Sequence, residues 1–217
     1  MKPLLASILL CAAAMPHLAA DDIALSTFND NPKAGPTKVG LHMETALGSI
    51  TLELPQLIIQ GKPASEREKP EITNSTETEV SVSFKSGATF RYEITAPGEV
   101  TCTYGNLPTD AAGLFFSMFI RTEFILGGHY AFGTQTPKSF PDISGTPNLV
   151  DGAKGVFVFA GPTGDAVSLE MPADWQGLVD YRTGGMNGFS YKSKVYFKTP
   201  PAAGSFQIRI QPTTLNP

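Results

Sequence analysis

The sequence predicts an all-β chain, an antiparallel β-sandwich of about ten to thirteen strands in a single domain. Three observations lead there. Short apolar segments alternate with a period of two between Gly, Pro, Asn and Asp turn signals, as strands with one face in a core do. No stretch keeps a helical period over the roughly 11 residues that a helix assignment needs. The segment LFFSMFIRTEF, from Leu114 to Phe124, is apolar on both faces, which puts a strand inside a sandwich.

Taken in order, the chain begins with Lys2, the apolar run PLLASILLCAAAM and small residues ending at Ala19 and Ala20. This is the layout of a secretory signal peptide, residues 1–20, with cleavage expected after Ala20. Leu10 precedes Cys11 where a lipid-attachment signal has a small residue, so plain export is expected. The location that follows is secreted or periplasmic. No later stretch approaches the roughly 20 apolar residues of a spanning helix, so no membrane insertion is expected. Residues 21–45 read as a polar N-terminal arm broken by Pro32, Gly35 and Pro36, because no period is sustained there.

The sandwich domain is expected over residues 46–211, with 212–217 a C-terminal tail. GSITLEL sets Ile50, Leu52 and Leu54 on one face, and Pro55 then demands a kink or an edge because it has no N–H for a ladder. GKPASEREKPEITNSTE is the most hydrophilic stretch and reads as an exposed connection. EVSVSF, ATFRYEI and EVTCTY follow as three antiparallel strands, turned at Ser86-Gly87 and Pro97-Gly98, where Pro fixes φ and Gly accepts a positive one. Ala88, Phe90, Tyr92 and Ile94 share one face, as do Val100, Cys102 and Tyr104, by the strand period. After the Gly- and Pro-rich text from Gly127 onward, HYAF, GVFVFA, AVSLEM, Trp175 to Arg182, FSYKSKVYF and SFQIRI supply the remaining strands.

Composition narrows the function classes. The chain holds 16 Lys and Arg against 20 Asp and Glu, a net charge of −4, and loss of Lys2 with the leader makes it −5. With no basic stripe, nucleic acid is not an expected partner. Beyond the leader the one cysteine is Cys102, so no intramolecular disulfide forms and stability rests on the core. The histidines there, His42 and His129, have no ligand spacing for a structural zinc site. Asp142, Asp151, Asp165, Asp174 and Asp180 are read as loop residues, whose oxygens could hold calcium, but none belongs to an EF-hand run and Asp serves turns for backbone reasons. No metal and no cofactor is assigned. There is no G-x-S-x-G nucleophile elbow, and GGHYAFG opens no helix on which a phosphate would sit. No protein partner can be named.

What remains is an aromatic and cationic set. Trp175, Asp180, Tyr181 and Arg182 lie in one segment, ADWQGLVDYR, and His129 and Tyr130 in another, with Tyr191, Lys192, Tyr196 and Lys198 further on. Aromatic rings stack on the apolar faces of sugars while Arg and Asp bond the hydroxyls. In an extended segment Asp180 and Arg182 project to the same face, where the carboxylate orients the guanidinium. Equally, Trp175 fits a core position and Asp180 with Arg182 a structural ion pair.

GSITLEL, ATFRYEI, ADWQGLVDYR and the closing SFQIRI resemble the β-sandwich domains of the galactose-mutarotase-like type over roughly residues 46–211. That type occurs in carbohydrate-active enzymes, including polysaccharide lyases. The resemblance implies an exported carbohydrate-associated sandwich, a polysaccharide-binding or accessory module. Two other classes stay open at this point. One is a polysaccharide lyase or sugar isomerase in which His129 or Tyr181 exchanges a proton and Arg182 neutralises a uronate. The other is a structural or envelope-interaction protein.

Overall fold

The computed structural model describes residues 24–29, 39–45, 47–59, 68–121, 126–142, 149–150, 152–153, 155–172, 174–180, 189–198 and 202–215. The strands in chain order are β1 (Ala24–Asn29), β2 (Val39–Thr45), β3 (Gly48–Glu53), β4 (Gln56–Ile59), β5 (Glu71–Ser75), β6 (Glu79–Ser83), β7 (Thr89–Ala96) and β8 (Glu99–Gly105). They continue with β9 (Ala111–Arg121), β10 (His129–Phe132), β11 (Lys138–Ser139), β12 (Phe157–Ala160), β13 (Asp165–Glu170), β14 (Asp174–Asp180), β15 (Phe189–Lys198) and β16 (Gly204–Thr214). No helix occurs among the described residues.

Two antiparallel sheets form the sandwich. The first runs β1-β2-β3-β9-β15-β14 with β4 also on β9, and the second runs β11-β10-β12-β13-β16-β8-β7-β6-β5. They share one core, in which Phe116 of β9 meets Phe90 of β7 edge-on at 5.7 Å and Phe206 of β16 at 6.2 Å. The buried Tyr92 hydroxyl on β7 donates to the Glu53 carbonyl at the end of β3, 3.1 Å away, giving the core a polar tie between sheets.

Strand β9 is central for the reason its sequence shows. Leu114, Phe116, Met118 and Ile120 are wholly buried in the core, and Phe115 and Phe119 are buried as well, so both faces are covered. The three-strand meander also matches. Ala88, Phe90, Tyr92, Val100, Cys102 and Tyr104 are buried, and Ile94 packs against them. Gly98 turns the hairpin at φ 71°, with the Ile210 carbonyl of β16 2.4 Å from where a Cβ would stand.

Pro55 interrupts one edge line along β9. Leu52 pairs with Met118 and Gln56 with Phe115, so four steps on one strand face three on the other. That extra residue is a bulge, which accommodates the missing proline N–H.

Sixteen strands exceed the ten to thirteen expected, and the difference comes from four strands. The stretch read as a polar arm supplies β1 and β2, because the short alternation of Leu41 and Met43 is completed by pairing with β3 and both side chains are fully buried. The hydrophilic connection supplies β5, an edge strand exposed at every residue. It forms through backbone pairing with β6, which a hydrophobicity pattern does not reveal. The two-residue β11 is the fourth. The expected leader, residues 1–20, lies outside the described residues.

Candidate functional site

The sequence candidates fall on the two sheets. Asp174–Asp180 is β14, the edge strand of the first sheet. Its backbone pairs Trp175 with Val195 and Asp180 with Tyr191, and the register slips between Trp175 and Gly177, a bulge of the kind that re-aims neighbouring side chains. Tyr181 and Arg182 lie outside the described residues, and for Trp175 and Asp180 the description stops at the backbone.

His129 and Tyr130 begin β10, next to the edge of the second sheet. Tyr130 is buried; its ring packs on Phe140 with centroids 4.9 Å apart, and its hydroxyl donates to the Leu149 carbonyl at 3.3 Å. Burial pushes its pKa above the ordinary tyrosine value. Tyr130 is therefore a packing residue that anchors a loop. His129, on the alternate side of the strand, is partly exposed.

The loop so anchored joins the two candidate segments. Leu149 N–H donates to the Leu178 carbonyl at 2.8 Å, and Leu178 N–H donates to the Val150 carbonyl at 3.1 Å. Leu149 thus takes Tyr130 on its carbonyl and β14 on its amide. Two clusters nearly 50 residues apart in sequence, Tyr130 and Leu178, meet on one flank of the sandwich through a single residue.

On the second sheet opens a groove of about 540 Å³ that the sequence did not announce, within the size range of small-ligand sites. Strand β13 ends at Glu170, paired with Arg209, whereas β16 continues back to Gly204 along β8. The gap left beyond β13 is walled by Met171 and Pro172 as the chain leaves that strand and by Gly155 and Val156 as it enters β12. Phe206, Gln207 and Arg209 of β16 complete it, with Glu170 at the rim. Pro172 is three residues before Trp175, so the chain passes from the groove straight into β14.

The polar side chains of the groove constrain one another. Arg209 Nη2 donates to Gln207 Oε1 at 2.8 Å, which leaves the Gln207 NH₂ as a donor. Arg209 Nη1 lies 3.7 Å from Glu170 Oε2 and its Nε 3.8 Å from Glu99 Oε1 on β8. All three charged side chains are substantially exposed, so these ion pairs add little stability. Donors and acceptors stand side by side on the outward face of β16, near the half-buried Val156 and the exposed Pro172. The only advance signal was the alternation in SFQIRI, which put Gln207 and Arg209 on the outward face without indicating a gap beside them.

Elsewhere, His42 on β2 lies on the first sheet and His129 on the second. His42 Nδ1 is 3.0 Å from Thr51 Oγ1 and its Nε2 2.5 Å from Glu44 Oε1, which ties β2 to β3. Among the described residues no three His, Cys, Asp or Glu side chains gather where an ion could be held. Cys102 is buried and its thiol pKa is raised well above the ordinary value by loss of solvent.

No protein-family model matches the chain, and no curated protein matches its sequence. Among solved structures it is similar to an inverting mannosidase of family GH92 from Bacteroides thetaiotaomicron, at 10% identity and a TM-score of 0.45, over 93% of this chain and 28% of that one. It is also similar to a GH31 sulfoquinovosidase from E. rectale, at 10% identity and a TM-score of 0.33, over 86% of this chain and 27% of that one. The chain spans little more than a quarter of either, and at these scores the likenesses carry no argument about what it does.

Proposed function

We propose that this chain is an exported, carbohydrate-associated β-sandwich that binds a polysaccharide, as a binding or accessory module, at the groove beside β16 beyond the end of β13 and along the β14 edge. The observation that carries this reading is the groove. Glu170, Gln207 and Arg209 present an acceptor, an amide donor and a guanidinium beside Val156 and Pro172, and sugar recognition pairs hydroxyl partners with apolar ring contact in this way. Its rim runs within three residues of Trp175, the aromatic that suits ring stacking. The resemblance of ATFRYEI, ADWQGLVDYR and SFQIRI to galactose-mutarotase-like domains supports the same reading, and the leader-like residues 1–20 support delivery to a secreted or periplasmic location.

The test is native affinity electrophoresis of the chain from Asp21 onward through gels carrying plant, algal and bacterial polysaccharides. At least one polysaccharide is expected to retard the wild type, and Gln207→Ala and Trp175→Ala, each with an unaltered thermal melt, to reduce that retardation. Retardation by none of the glycans would refute the reading.

A further inference from the structure

We infer that the groove is selective for uncharged glycans and turns away polymers of uronic acid, an inference that rests on the carbohydrate reading above. The argument is one of charge. Arg209 is the one cation among the described lining residues, and it is already shared between Glu170 on one side and Glu99 on the other, at 3.7 and 3.8 Å. Its Nη2 is committed to Gln207 Oε1. One positive and two negative charges leave this cluster at −1, so a uronate entering the groove meets more negative than positive charge. Wherever it approaches Arg209 it also comes near Glu170 or Glu99.

A carboxylate held about 4 Å from another in water loses roughly fivefold in affinity, and a polymer brings one on every ring. The net charge, −4 for the whole chain and −5 once Lys2 is lost with the leader, acts in the same direction on the approaching polyanion. A neutral ring meets none of these costs. Its hydroxyls can donate to Glu170 and accept from the Gln207 amide, while its apolar face lies against Val156 and Pro172. Phe206 does not supply a free stacking platform, because its ring is packed at 6.2 to 6.5 Å from Phe90, Tyr104 and Phe116.

Matched polymers separate the possibilities: mannan against polymannuronate, galactan against polygalacturonate, and glucan against polyglucuronate, in affinity gels at near-physiological salt. The expected result is retardation of the wild type by at least one neutral polymer and at least fivefold weaker retardation by its uronate counterpart. Glu99→Gln and Glu170→Gln, checked for an unchanged melt, should each strengthen retention by the uronate. Wild-type retention by a uronate equal to or above that by its neutral partner overturns the inference while leaving the carbohydrate reading standing. Uronate retention unchanged in both variants overturns the assignment of selectivity to these carboxylates. Retardation by neither kind of polymer refutes the carbohydrate reading and this inference with it.

Discussion

Phe116 of the first sheet presents its ring edge-on to Phe90 of the second at a centroid distance of 5.7 Å, and both are essentially without solvent contact. Edge-to-face aromatic pairs add about 0.5–1.5 kcal/mol beyond the area they bury. Phe206 closes the cluster from β16, so this contact holds the two sheets together at the middle of the sandwich.

Phe116→Ala is therefore expected to cost about 3–5 kcal/mol, the range for emptying a buried Phe site. Phe116→Leu, which keeps most of the volume, should cost much less. Urea denaturation with a common slope measures both. A loss below about 1 kcal/mol for the alanine variant would place the core elsewhere.

Gly98→Ala tests the hairpin. The residue sits at φ 71° and its added Cβ would stand 2.4 Å from the Ile210 carbonyl. The turn must deform, and the bond from Ile210 N–H to the Gly98 carbonyl, now 2.8 Å, is strained with it. The expected loss is at least about 1–2 kcal/mol, again read from denaturant curves.

These core and turn positions were legible because they obey local rules. Alternation marks Phe90, Tyr92, Val100 and Cys102, and Pro97-Gly98 marks the turn between them. Partners were not legible. Nothing near SFQIRI indicates that β16 slots between β8 and β13, or that β9 takes β15 from more than 70 residues away, since pairing is a non-local choice among strands of similar pattern. The groove is a product of that choice, created where β13 stops short of β16. For the same reason the role of Tyr130 was misleading in sequence. Its ring looked available for a ligand, yet it is spent on Phe140 and the Leu149 carbonyl.

Tyr130→Phe should remove that hydroxyl and leave the Leu149 carbonyl short of a donor, at a cost of about 1 kcal/mol. The effect should be local. Hydrogen exchange at Leu149 and Leu178, whose amides bridge the loop and β14, is expected to accelerate more than exchange in β7 and β8. Uniform acceleration would contradict the anchoring role.

Alkaline pH should destabilise the fold through Cys102 and Tyr92. Burial raises both groups well above their ordinary values of 9.0 and 10.0, so the folded chain keeps protons that the unfolded chain releases. Stability is full below the unfolded pKa values and falls as pH rises through and beyond them. At the acid end the sign reverses for Glu79. Hydrogen bonds from Asn74 and Ser81, with Arg91 beside it, hold its pKa below the usual carboxylate value, so its contribution is present above the unfolded pKa and lost as pH falls. Thermal melts from acid to alkaline pH, repeated on Cys102→Ala and Glu79→Gln, check both limbs. The variants should flatten the alkaline and acid limbs respectively.

The central claim is that a glycan occupies the groove beside β16 beyond the end of β13. Amide chemical-shift mapping during titration with an oligosaccharide from a polymer that retards the chain tests it most directly. The account predicts that the largest shifts fall on Gly155, Val156, Glu170, Met171, Gln207 and Arg209 and continue into β14 at Trp175. Shifts concentrated on the outward residues of β7 and β8, such as Arg91, Thr101 and Thr103, with the groove amides unmoved, would contradict it.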